Sequence, residues 1–131
     1  MNPVSTQSIS SRSTATRAAA DFEPAIDLVH LARQTMDDPG LENELLEMFD
    51  RQSQRIVADL MENDQGDARS HANLAHKLRG SALAIGARRV ANAARALEES
   101  CLIGAADQAP LRQALGQAVA EARAEIDRLT Q

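Results

Sequence analysis

From Asp21 to the end of the chain, apolar residues return every three or four positions and no stretch alternates as a strand does, so the fold has to be helical. Only two of the 131 residues are aromatic, Phe22 and Phe49, while Ala, Leu, Glu, Arg and Gln dominate the periodic part, a mixture that favours helices. A chain of this length buries one core and not two. The spacing predicts a first helix over about Ala25 to Thr35, with Ile26, Val29 and Ala32 on one side and Pro24 at its start. Asp38 then caps a second helix with Pro39 in its first turn, whose stripe is Leu41, Leu45, Met48, Phe49, Gln52, Ile56 and Leu60. Gly66 and Asp67 form the next break and cap, and a third helix runs from Ala68 to Ile85 and stops at Gly86. Ala87 to Leu102 reads as a fourth, with Val90, Ala94, Leu97 and Cys101 inward. After Gly104 and Pro110 a fifth carries Leu111, Leu115, Ala118, Val119, Ala122, Ile126 and Leu129.

Helices of about four turns with short connections pack as antiparallel neighbours. The expected fold class is therefore all-α: an antiparallel up-and-down four-helix bundle over residues 21–131, with an additional short N-terminal helix. Residues 1–20 are rich in Ser, Thr and Ala, hold no acid and show no sustained period, and are expected to be a disordered tail.

The same composition narrows the function. Cys101 is the lone cysteine, so neither an internal disulfide nor a multi-cysteine metal site can form, and a reducing, cytoplasmic home is expected. No apolar run approaches the roughly 20 residues that cross a bilayer, and the first twenty residues lack the apolar centre of a secretory signal. The net charge of −5 argues against general nucleic-acid binding, but it hides an asymmetry. Between Ala68 and Leu97 there is no acid, and Arg69, Lys77, Arg79, Arg88, Arg89 and Arg95 give the stretch +6, leaving −11 elsewhere. A surface facing an anionic partner is the reading this suggests.

The third helix carries the candidate chemistry. At about 100° per residue, Leu74, Leu78, Ser81, Ala82 and Ile85 share one sector, with Ala75 at its edge, and His76 lies about 155° from its middle. Its imidazole is therefore expected in solvent, where near neutral pH it can act as an uncharged nucleophile. Gly80, one turn on, costs an exposed helix about 1 kcal/mol relative to Ala, so something gains from the missing side chain, and the simplest gain is room beside the imidazole. Ala72, Leu83 and Ala87 fall in the same outward sector and are expected to form a flat apolar ring for partner docking, with Arg79 at one edge and Lys77 nearer the other. His71 and His76 are five apart, about 140° round the helix, unlike the i, i+4 pair that grips zinc, and no metal site is expected.

The run His76-Lys77-Leu78-Arg79-Gly80-Ser81-Ala82, with Gly86 at +10 and Leu97-Glu98 on the next helix, resembles the signature of histidine-containing phosphotransfer (HPt) domains of two-component phosphorelays. The similarity extends over roughly residues 24 to 129. It implies a phosphocarrier without ATP-dependent kinase activity of its own. His76 would accept a phosphoryl group from the aspartyl phosphate of a receiver domain and pass it to the aspartate of another response regulator. By the same resemblance Gly80 is the clearance residue, Arg79 stands where the family usually has lysine, and Ser81 is the small polar residue after the glycine. Glu98 takes a position where some members touch the imidazole. The implied partners are receiver domains and a hybrid sensor histidine kinase, with Mg²⁺ on the receiver and no cofactor here; the chain is expected to be a monomer. The alternative is a helical adaptor that binds receivers or other signalling proteins without being phosphorylated.

Overall fold

The computed structural model describes residues 24–62, 67–105 and 107–131. The N-terminal tail, and Gly66 in the second break, lie outside them. Among the described residues there are five helices and no strand: α1 (Leu28–Thr35), α2 (Pro39–Glu62), α3 (Ala68–Ile85), α4 (Arg88–Leu102) and α5 (Ala109–Leu129). Each of α2 to α5 packs on its two neighbours in the order α2, α3, α4, α5 and back to α2, while α1 lies against α2 and α3. This is the expected bundle, and its widest seam is between α3 and α4.

Local chemistry sets the helix ends. Asp38 Oδ1 accepts from the N–H groups of Gly40 and Leu41, so α2 begins at Pro39 as its sequence predicts. Asp67 caps α3 by accepting from Arg69 N at 3.3 Å. Gly86 ends α3 in the left-handed region at φ 81°, and its N–H and that of Ala87 return to the carbonyls of Leu83 and Ala82. An added Cβ on Gly86 would lie 2.9 Å from the carbonyl oxygen of Asp27, so the glycine serves the turn and the close approach of α1 together. Asp27 N donates to Gly86 O at 2.9 Å, and Arg88 pairs with the Asp27 carboxylate at 2.9 Å.

The first helix starts later than its proline suggests. Asp27 is the N-cap, accepting from His30 N, and Ile26 is buried just before it. Ile26 and Leu31 hold the two positions of a hydrophobic staple, so Ile26 is not in phase with the helical face. Leu31 and Thr35 face inward instead, and Val29, expected inside, is 63% exposed.

On α2 the buried residues are Leu46, Phe49, Ser53, Ile56 and Leu60. The expected stripe shares three of these, but Leu41 and Met48 are exposed and Leu45 and Gln52 half-buried. Leu45, Met48 and Gln52 lie on the flank of the buried arc, next to α3, and become part of the site described below. Ser53 was invisible to an apolar pattern; its hydroxyl is satisfied by the carbonyl of Asp50. On α4 and α5 the predicted inward residues are buried or half-buried throughout. Cys101 is buried, and burial pushes its thiol up against a smaller opposing effect of Arg112, which suits a packing role. Among the described residues no helix is long and apolar enough to cross a membrane.

Candidate functional site

His76 stands in the middle of α3 with 63% of its side chain exposed. Its Nδ1 lies 3.0 Å from Oε2 of Glu98, which α4 brings across the seam from 22 residues further along the chain. An ionised carboxylate only accepts, so the ring nitrogen donates, and that bond selects the tautomer with hydrogen on Nδ1. Nε2 then keeps its lone pair and has no partner among the described residues.

Glu98 is itself only 16% exposed, and Arg79 NH1 sits 3.4 Å from its other oxygen. The arginine therefore neutralises the carboxylate that orients the imidazole. Glu98 Oε1 makes no hydrogen bond among the described residues and is held by charge alone. Lys77 is exposed on the opposite flank of α3, facing α2.

A Cβ built on Gly80 meets nothing within 4 Å, and the residue is exposed. Nothing inside the molecule requires glycine there, so the open space beside the imidazole is available to something outside it.

Two expected docking residues are not at the surface. Ala72 is 3% exposed and Ala87 fully buried, while Leu83, at 52%, is exposed as expected. Ala87 lies beyond Gly86, where the chain has already left the helix, so the α3 rotation does not apply to it. Ala72 is covered because α4 approaches α3 closely through small residues. The buried arc of α3, which includes His71, Ala72 and Ala75, is turned toward α4 by about 50° from the sector defined by the larger side chains alone. Ser81 is also not beside the imidazole: it lies about 140° round the helix, and its hydroxyl donates to Gln52 Oε1 at 2.7 Å, tying α3 to α2.

The surface next to His76 is completed by α2. A shallow groove of about 250 Å³ is lined by Met48, Arg51, Gln52, Arg55 and Lys77. It shares Met48 and Gln52 with an apolar slot of about 100 Å³ that also involves Leu45, Phe49, Ser81 and Ala84. Arg51, Arg55 and Lys77 have no ion pair among the described residues. The cationic stretch of α3 was legible in the sequence, but its continuation in Arg51 and Arg55 depends on a helix pairing that no local pattern reveals. A larger concavity, about 710 Å³, lies at another face between the start of α1 and α5, lined by residues such as Pro24, Arg89 and Glu121, and holds none of the site residues. Among the described residues no group of three or more His, Cys, Asp or Glu is placed to hold a metal ion.

Comparison with known proteins follows the same lines. The Hpt domain family matches residues 43–131. The crystal structure of histidine-containing phosphotransfer protein B (HptB) from Pseudomonas aeruginosa PAO1 superposes with a TM-score of 0.73 at 27% sequence identity, covering 80% of this chain and 93% of that one. No curated protein sequence matches.

Proposed function

Because the chain belongs to the Hpt domain family, we propose that it is a phosphorelay intermediate in which His76 carries the phosphoryl group between two receiver domains. The observation that carries this reading is an exposed imidazole whose Nδ1 is engaged by Glu98 at 3.0 Å, beside a glycine with empty space where its side chain would be.

In the accepting step the Nε2 lone pair forms a bond to phosphorus as the oxygen–phosphorus bond of the donor's aspartyl phosphate breaks, its electron pair leaving with the carboxylate. The onward step reverses this toward a second aspartate. Such transfers depend on positioning and charge neutralisation more than on covalent chemistry. The rigid seam of α3 and α4 supplies the first. Lys77, Arg51 and Arg55 supply part of the second and give an acidic receiver a complementary surface. Mg²⁺ belongs, in this reading, to the receiver, and the chain contributes no cofactor. The donor is a hybrid sensor histidine kinase through its receiver domain, the setting is the cytoplasm, and the protein acts as a monomer.

The test is incubation with phosphorylated receiver domains. Acid-labile, alkali-stable label appears on the wild type and is absent from His76→Gln, whose circular dichroism is unchanged. Receiver binding without any label would make the protein a helical adaptor instead.

A further inference from the structure

When Nε2 has bonded phosphorus and Nδ1 keeps its hydrogen, the ring is an imidazolium. Breaking the nitrogen–phosphorus bond then returns the electron pair to Nε2 and releases neutral imidazole. If Nδ1 has lost its proton, the departing group is an imidazolide anion, a far poorer leaving group, and the phosphoryl group is held. The proton on Nδ1 therefore decides whether a phosphorylated His76 can give up its cargo.

In this protein that proton points at a carboxylate. Glu98 Oε2 is 3.0 Å from Nδ1, and its side chain is mostly shielded, so solvent screens the attraction less than on an open surface. The charges that flank the ring on its own helix are the cations Lys77 and Arg79; α2 lines the groove at Lys77 with Arg51 and Arg55, and on α4 Arg95 pairs with Glu99. The acidic group of α1, Asp27, is at the far end of α3 beside Gly86. Among the described residues Glu98 is the one carboxylate bonded to the imidazole.

We infer that Glu98 is a positioning residue that keeps the Nδ1 proton on phosphorylated His76, so that the phosphoryl group stays transferable into alkaline solution. Neither the accepting nor the donating step then exchanges a proton with solvent: the hydrogen stays between Nδ1 and Glu98 while phosphorus moves on and off Nε2. Arg79, 3.4 Å from the same carboxylate, opposes this hold. The inference rests on His76 being the phosphorylated residue.

The full-length protein is labelled with phosphoramidate, a small-molecule donor, and loss of label is followed by ³¹P NMR from pH 6 to 10 for the wild type, Glu98→Gln and Arg79→Gln. Each profile is normalised to its own low-pH plateau. The decline with rising pH sets in earlier for Glu98→Gln, leaving the variant about three- to tenfold slower than the wild type on the alkaline side, and later for Arg79→Gln. Opposite displacements from the two variants are something a merely structural disturbance does not produce. Superimposable profiles, or a later decline in Glu98→Gln, overturn the inference. Should Glu98→Gln fail to fold, an unmoved Arg79→Gln profile overturns it by itself. If phosphoramidate labels His76 and no phosphorylated receiver does, the phosphorelay reading fails while the profiles still decide the role of Glu98.

Discussion

Replacing Gly80 separates what the isolated domain wants from what its partner wants. The position is exposed and in the interior of α3, and a methyl group there touches nothing within 4 Å. Gly80→Ala therefore costs no packing and gains the helix propensity difference, about 0.8–1 kcal/mol. For a chain of this size that is a rise in Tm of about 3–5 °C by differential scanning calorimetry. Gly80→Gln gains less stability, because a longer side chain loses rotamer freedom in the helix, but it fills the space beside the imidazole. Forcing a side chain into a close-packed contact costs about 1–3 kcal/mol. If that cost falls on the transfer complex, transfer slows by about 5- to 150-fold, measured by rapid-quench phosphotransfer from a labelled receiver. Stability and transfer then move in opposite directions in one variant. A destabilised Gly80→Ala would show that the glycine serves the fold, and Gly80→Gln with wild-type transfer would refute the clearance argument outright.

Three further perturbations probe the scaffold and the docking face. Gly86→Ala forces a left-handed residue, about 1–2 kcal/mol, and sets a Cβ 2.9 Å from Asp27 O; a total loss of about 2–4 kcal/mol is expected from urea denaturation, and a loss under about 1 kcal/mol would contradict the geometry. The Asp27 carboxyl is held below the usual aspartate range, first by the N–H of His30 and then, against some desolvation, by Arg88. A lowered pKa adds stability that is present above the unfolded value near 4 and is lost as the pH falls through the folded one. Asp27→Asn should therefore flatten the acid limb of the stability curve, and identical limbs would remove Asp27 from the explanation. Reversing Arg51 and Arg55 to Glu should leave the melting curve close to the wild type's and slow receiver association by about tenfold at low salt. The difference should shrink at high salt, and salt-independent rates in stopped-flow binding would refute an electrostatic docking face.

Where the chain marks its own boundaries, the fold was legible. The limits of α3 follow from Asp67 and Gly86, and the start of α2 from Asp38 and Pro39, because capping and left-handed ends are local events. The same helix carries His76, Lys77, Arg79 and Gly80, so one rotation placed the imidazole outward and the two cations on its flanks. Alanine is where the arithmetic misled. Large residues dominate an apolar period and placed Ala75 correctly at the edge of the core sector, but Ala72, expected outward, is buried as well, and its small volume gives no warning of it. Ser81 followed from the resemblance and not from geometry, and its hydroxyl is spent on Gln52. Arg51 and Arg55 could not be assigned to the site at all without knowing that α2 lies beside α3.

That alanine seam is also what makes the site possible. Small residues on both helices, Ala72, Ala75 and Ala82 on α3 and Ala91 and Ala94 on α4, let the two backbones come close. A glutamate has a short reach, so Glu98 can bond an imidazole that points away from the core only if its own helix stands near the surface edge of α3. The misplacement of Ala72 and the position of Glu98 thus have one cause. The tilt of the buried arc toward α4 hides an expected docking residue, and in doing so it brings a carboxylate to Nδ1 while leaving Nε2 and the bare backbone at Gly80 open.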